Sequence, residues 1–440
     1  MARELFGTDG VRGAAGIKLG AELALALGRA ATEHAARSAS DTERPRVLVI
    51  RDTRESGEML ESALAAGVTA AGGDAFLGGV LPTPAAPLLI AQHGFDLAVV
   101  VSASHNPFAD NGIKFFGGDG FKLGDDAEEA IEARVAAGFE PSMRIGRVRA
   151  LHGTQEDYLR ALHTRFADLD LSGVAVMLDC ANGATYRVGP EIFRRLGATV
   201  SAIGTEPDGC NINAGVGSTH VATLAEAVAA SGQSVGFAFD GDGDRVLAVD
   251  GNGEVVDGDE LIAIAALHLR AQDRLGGGVA VTVMTNYGFH AAMREAGVEV
   301  ATTAVGDRYV LESLRERGWT LGGEQSGHII DMGFVASGDG IASALLTLEA
   351  LAGGKLADRS AMRKLPQTLV NVRVADKTRA MAAAEEAAQA ENAALEGRGR
   401  VLVRASGTEE LVRVMVEAPT DDEAHDVCAR LVALVESASG

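Results

Sequence analysis

Three aspartates at alternate positions, Asp240, Asp242 and Asp244, follow the apolar run 235–239 and are separated by glycines. Carboxylates spaced this way on a flexible loop can converge on one hard cation. An all-oxygen donor set suits Mg2+ or Ca2+ rather than zinc. An EF-hand would need glycine sixth and glutamate twelfth, where this chain has Arg245 and Gly251. A second loop, Ser102-Ala103-Ser104-His105-Asn106-Pro107, follows the apolar run 97–101. A hydroxyl presented there can act as nucleophile or phosphoryl carrier. Spacing alone leaves Ser102 beside Ser104 as an alternative, and a Ser-His-Asp hydrolase is not expected.

Two further stretches carry recognition chemistry. Arg404-Ala405-Ser406-Gly407-Thr408, with Arg413 nearby, combines guanidiniums, hydroxyls and backbone N–H groups, the donors a phosphate requires. Glu324-Gln325-Ser326-Gly327-His328 offers carboxylate, amide, hydroxyl and imidazole in one turn, a set suited to a sugar hydroxyl or amine.

These loops need a frame. Apolar runs at 46–50, 97–101, 174–178, 235–239 and 279–283 each open into a polar, glycine-bearing loop, and Ala-rich helical stretches such as 57–72 alternate with them. That alternation predicts α/β units with buried, largely parallel sheets and functional groups at the carboxyl ends of strands. The last part differs: an alternating strand at 367–374, a helix at 377–395, and strands at 400–403 and 411–417 around a loop at 405–410. The expected domains are 1–150, 151–255, 256–367 and 368–440.

The chain has 440 residues with 61 acidic against 39 basic side chains, a net charge of −22. That surplus argues against nucleic-acid or anionic-membrane binding, yet leaves room for a small anion held by a local Arg/Lys cluster. Three scattered cysteines without CxxC spacing form neither a disulfide framework nor a zinc signature. With no apolar signal core and no membrane-length run, a cytoplasmic location is expected.

Taken in order, FGTDGVRG, SASHNP, DGDGDR, GEQSGH and RASGTE resemble the α-D-phosphohexomutase family along essentially the whole chain. ASHNPFADNGIKFF, ANGATYRVGP, PDGCNINAGVGSTH and VGDRYVLE support it. The resemblance implies an α/β, four-domain, heart-shaped molecule, three mixed α/β domains plus a C-terminal α+β domain around a central cleft. It implies Ser104 as a phosphoserine that completes one Mg2+ site with Asp240, Asp242 and Asp244. Arg12, His105, Lys114, Arg245, Arg308 and His328 would line the reacting end, and Glu324 and Ser326 would contact the sugar. Arg404, Ser406, Gly407, Thr408 and Arg413 would grip the non-reacting phosphate.

The implied activity moves phosphate between the 6- and 1-oxygens of a phosphosugar in two transfers. Glucosamine 1,6-bisphosphate or glucose 1,6-bisphosphate would be the intermediate or activator. The GEQSGH loop favours glucosamine phosphates, feeding UDP-N-acetylglucosamine synthesis. Mannose or glucose phosphates on the same fold, and a non-catalytic phosphosugar-binding protein, are the alternatives. Lys114 with a lowered pKa, or His328, is the expected base. A homodimer is open. Ala405 and Glu410 stand where the family has prolines, so a looser phosphate loop is expected.

Overall fold

The computed structural model describes residues 5–7, 9–36, 44–140, 143–406 and 410–438. The chain forms two compact units, one of residues 1–283 with 301–359, the other of 284–300 with 360–440.

The first unit holds three sheets. The first runs, strand by strand, Phe6–Gly7, Gly10–Ala14, Asp110–Gly117, Leu97–Val101, Arg46–Arg51, Asp74–Val80 and Val148–Ala150. Val47, Val49, Val99 and Val101 turn one face into a core shared with the helices Ala21–Ala36 and Ser56–Ala70. Those helices approach closely: a Cβ on Gly67 would fall 2.1 Å from Leu25 O, so glycine is required there. In the second sheet, Val235–Phe239 lies between Ala175–Asp179 and Val246–Asp250. In the third, Leu321–Gly323 lies between Gly278–Thr282 and Ile329–Asp331.

The expectation of largely parallel sheets is corrected. Leu97–Val101, Val235–Phe239 and Leu321–Gly323 each pair antiparallel with the next strand, Asp110–Gly117, Val246–Asp250 and Ile329–Asp331 respectively. The reason is connection length. Loops at 102–109, 240–245 and 324–328 are too short for the helical crossover that a parallel return demands, so the chain doubles back as a hairpin. The loop between Arg400–Ala405 and Leu411–Glu417 likewise joins antiparallel neighbours, so each of the four chemistry-bearing loops has both stems pinned into a sheet.

The second unit is a three-stranded antiparallel sheet, Gln367–Arg373, Leu411–Glu417 and Arg400–Ala405 in spatial order, packed against the helices Lys377–Ala394 and Asp421–Ala438. Val412, Val414 and Val416 point into that core at the two-residue period of a half-buried strand. The segment 284–300, with the helix Tyr287–Glu295, belongs to this unit. Its anchor is the buried Glu417 carboxylate, which accepts the Tyr287 N–H (2.8 Å), Asn286 Nδ2 (3.3 Å) and Arg400 Nε (2.7 Å). Among the described residues, no helix is long and apolar enough to cross a membrane.

Candidate active site

Ser104 sits in the first hairpin bend, fully buried, with a left-handed φ of +53°. Its Oγ donates a short hydrogen bond to Asp240, and the His105 Nδ1 lies 3.4 Å away. Ser102, its rival by spacing, is turned inward. The Ser102 Oγ donates to Asp52 at 2.6 Å and accepts the Ser104 N–H at 3.0 Å, so it supports the bend.

The second bend carries the aspartates. Oxygens of Asp240, Asp242 and Asp244 lie within 4.8 Å of one another, all buried, the one such group among the described residues. The loop backbone presses on the serine: a Cβ on Gly241 would fall 2.5 Å from Ser104 O. Burial and the charges of Asp244 and Asp242 push Asp240 well above the usual carboxylate range. Asp244 falls well below it, because His328 and Lys114 outweigh its own burial. Among the described residues, the buried Oδ1 atoms of Asp242 and Asp244 have no hydrogen-bond partner, Arg245 Nε approaching that of Asp244 only to 3.7 Å. Orphaned carboxylate oxygens in a buried acidic cluster fit a divalent, oxygen-seeking cation.

Lys114, on the strand Asp110–Gly117, is fully buried 2.9 Å from Asp242, 3.0 Å from Asp9 and 3.7 Å from Asp244. Burial alone would lower its pKa, but these carboxylates more than offset that and hold it above the ordinary lysine value. The lowered pKa expected of a base is thus not found. His328 is buried with nitrogens 3.6 Å from Asp244 and 3.7 Å from Asp307. Burial lowers its basicity, Asp244 raises it, and the net shift is upward. The Gly338 N–H donates to Nε2 (3.2 Å), which puts the proton of the neutral ring on Nδ1, toward Asp244.

A cavity of about 500 Å3 opens beside this cluster, its wall including Arg12, Lys18, His105, Asp244, Arg245, Glu324 and His328. Arg12 pairs with Asp9 and donates to Ala103 O at 3.3 Å. Glu324 accepts the Gly306 N–H at 3.0 Å. Ser104, Asp240, Asp242 and Lys114 are buried beyond that wall. Ser326 is exposed and outside it, and Arg308 faces a neighbouring space of about 210 Å3 while paired with Asp125 and Glu128. Two larger cavities, about 870 and 900 Å3, contain none of the candidate residues and lie away from this chemistry.

Several participants escaped the sequence reading. Asp9, inside FGTDGVRG, is the hub for Arg12, Lys114 and Lys122. Thr83, Arg54 and Asn213 reach the two bends from distant segments. Gly232-Gln233-Ser234-Val235-Gly236 does have the spacing of a nucleophile elbow. Ser234, however, precedes the strand Val235–Phe239 instead of following one, and its Oγ donates to Ala175 O at 2.9 Å.

In the second unit, Arg404 and Arg413 face each other across the antiparallel strands Arg400–Ala405 and Leu411–Glu417. Like charges directly opposite are destabilising unless an anion lies between them. Partial burial and the Arg413 charge lower the Arg404 pKa, and the Arg413 Nε is buried without a hydrogen-bond partner among the described residues. The Ser406 N–H donates to Leu411 O (2.9 Å), and Lys377 Nζ reaches Ser406 O (3.3 Å) and Glu410 (3.2 Å). Lys377 thus contacts both residues that flank 407–409. Gly407 and Thr408 lie outside the described residues.

Sequence comparison finds four phosphoglucomutase/phosphomannomutase domains: α/β/α domain I at 3–141, domain II at 156–253, domain III at 257–369 and the C-terminal domain at 369–434. A phosphoglucosamine mutase of Moorella thermoacetica is 51% identical over 439 residues, covering 97% of this chain and 98% of that protein. Another, of Parafrankia sp., is 48% identical with both chains fully covered. In fold, the chain is similar to a phosphoglucomutase/phosphomannomutase family protein of Burkholderia thailandensis, with TM-score 0.83, 24% identity and coverage of 99% and 98%. It is also similar to an N-acetylphosphoglucosamine mutase of Aspergillus fumigatus solved with GlcNAc-6P and magnesium, with TM-score 0.71, 19% identity and coverage of 99% and 96%. With four consecutive domains matched and relatives near half identity over the full length, the chain belongs to the phosphoglucomutase/phosphomannomutase family.

Proposed function

We propose that this chain is a phosphoglucosamine mutase, interconverting glucosamine 6-phosphate and glucosamine 1-phosphate through a phosphorylated Ser104 and a 1,6-bisphosphate. The observation that carries the reading is the Ser104 hydroxyl bonded to one member of a buried three-aspartate cluster beside a cavity walled by Arg12, Arg245 and Glu324. Near-half identity to phosphoglucosamine mutases supports the substrate.

Asp240, Asp242 and Asp244 would hold a divalent cation, Mg2+ by the chemistry of the donors. When bound, it neutralises charge on the seryl phosphate. Phosphoryl transfer depends mainly on in-line positioning and charge stabilisation. Arg12 and Arg245 supply fixed donors at the cavity wall, and Lys114 adds a cation that burial and three carboxylates hold in place. Glu324 offers the sugar a carboxylate acceptor. Arg404 and Arg413 would clamp the second phosphate, the anion their mutual repulsion calls for. In the forward direction, phosphoserine gives its phosphoryl group to the sugar's vacant hydroxyl. After the bisphosphate turns around, the other phosphate returns to the serine oxygen.

Intact-mass measurement tests the core of this reading: one phosphate is expected on the wild type after exposure to glucose 1,6-bisphosphate and none on Ser104→Ala. Turnover of glucosamine 6-phosphate should exceed that of glucose and mannose 6-phosphates. A Ser104→Ala protein that still accepts phosphate, or a preference for mannose phosphate, would overturn the serine or the substrate respectively.

A further inference from the structure

Arg54 is completely buried, yet it is not in the cavity wall and touches no candidate substrate group. Each of its five N–H groups has an acceptor. Nε donates to Asp52 (2.8 Å), Nη2 to Ser104 O (2.9 Å) and Asn106 O (2.8 Å), and Nη1 to Asp110 O (2.9 Å) and, by a short bond, Pro107 O. Three of those acceptors are backbone carbonyls of the bend that presents Ser104, and a fourth, Asp110 O, belongs to the first residue of the strand that follows it.

Asn213 approaches the same bend from another segment. Its Nδ2 donates to Ser104 O at 2.9 Å and to Asn106 O at 3.1 Å, the two carbonyls that Nη2 of Arg54 also holds. The residue between these supports needs them. Ser104 adopts a φ of +53°, a conformation that costs a non-glycine residue about 1 kcal/mol or more and persists only where surroundings enforce it. Released into the extended region, its Cα–Cβ vector would swing away from Asp240.

We propose that Arg54 and Asn213 are positioning residues for phosphoryl transfer: together they grip the Ser104 carbonyl, hold the residue left-handed and keep its hydroxyl aimed at the aspartate cluster. The inference rests on the phosphoserine reading. Lysine cannot replace Arg54, because three N–H groups on a point charge cannot serve five acceptors fixed in the plane of a guanidinium. Asp52 completes the device, since it neutralises Arg54 and also accepts the Ser102 hydroxyl.

The test uses the full chain as Arg54→Lys and Asn213→Gly. Glycine is chosen because it accepts the φ of +58° that Asn213 adopts. Phosphate uptake at Ser104 from glucose 1,6-bisphosphate is followed by intact mass with time, alongside kcat and KM for glucosamine 6-phosphate. Folded fraction is measured by thermal melting and corrected for. Misaiming by about 1 Å should slow uptake and kcat per folded molecule about 10- to 100-fold, with KM changed less than about twofold. A folded variant whose uptake and kcat stay within about twofold of wild type overturns the role of that residue. If Arg54→Lys fails to fold, Asn213→Gly decides. A wild type that takes up no phosphate would instead overturn the phosphoserine reading and the proposal with it.

Discussion

Thr83 holds Asp242 twice: its N–H donates to the Asp242 carbonyl at 2.8 Å, and its Oγ1 donates to the side-chain Oδ2 at 2.7 Å. Lys114 takes the same Oδ2, so the carboxylate is fixed with Oδ1 left over. Partners that orient a ligand are typically worth 10- to 100-fold in metal affinity or activity. Thr83→Val keeps the shape and removes the hydroxyl. It should raise the Mg2+ concentration for half-maximal activity about tenfold, as read from a magnesium titration.

Asp242→Ala removes the ligand itself. Activity should fall more than about 100-fold per folded molecule, the folded fraction being measured because Lys114 and Thr83 also lose a buried partner. Near-normal magnesium-dependent turnover would contradict the assignment of this side chain.

Arg413→Ala tests the remote phosphate. A charge-assisted hydrogen bond contributes about 1.5–3 kcal/mol, so KM should rise about 10-fold or more while kcat changes little. A KM that does not move would count against the clamp formed with Arg404.

Asp339 makes stability depend on pH. It caps the helix Gly340–Leu351 by accepting the Ala342 N–H (2.9 Å), and Tyr158 OH donates to both its oxygens at 3.0 Å. Burial pushes the carboxyl up to about 7 against those stabilising bonds. Between the ordinary value of 3.8 and about 7, the native state keeps a proton that the unfolded chain has released. Stability therefore falls as pH rises through that window. Asp339→Asn should flatten the dependence and melt higher than wild type at alkaline pH. Parallel melting curves for the two proteins across the window would exclude the effect.

Strands with an uninterrupted apolar run or strict alternation were legible in the sequence: Leu97–Val101, Val235–Phe239 and Leu411–Glu417 stand where expected. The returning strands Asp110–Gly117, Val246–Asp250 and Ile329–Asp331 were not. Asp110–Gly117 opens on Asp-Asn-Gly, a turn-like start, and only the sheet reveals it as a strand. The aspartate trio and Ser104 were visible because their chemistry is compressed into a few residues. Thr83 lies 159 positions from Asp242 and Asn213 lies 109 from Ser104. Contacts of that range leave no local pattern, since each partner alone reads as an ordinary loop residue. The surroundings of Lys114 were not legible for a related reason: its neighbours Asp9 and Asp242 come from remote segments.

The helix Tyr287–Glu295 shares a unit with strands more than a hundred positions downstream, through Glu417. A gene fragment starting at residue 360 would therefore encode an incomplete object. Its central strand would end in a buried carboxylate that keeps Arg400 but has lost the Tyr287 and Asn286 donors. Such a fragment should express as a sticky, proteolysis-prone species. Swapping this region between relatives would succeed only if residues 284–300 travelled with it.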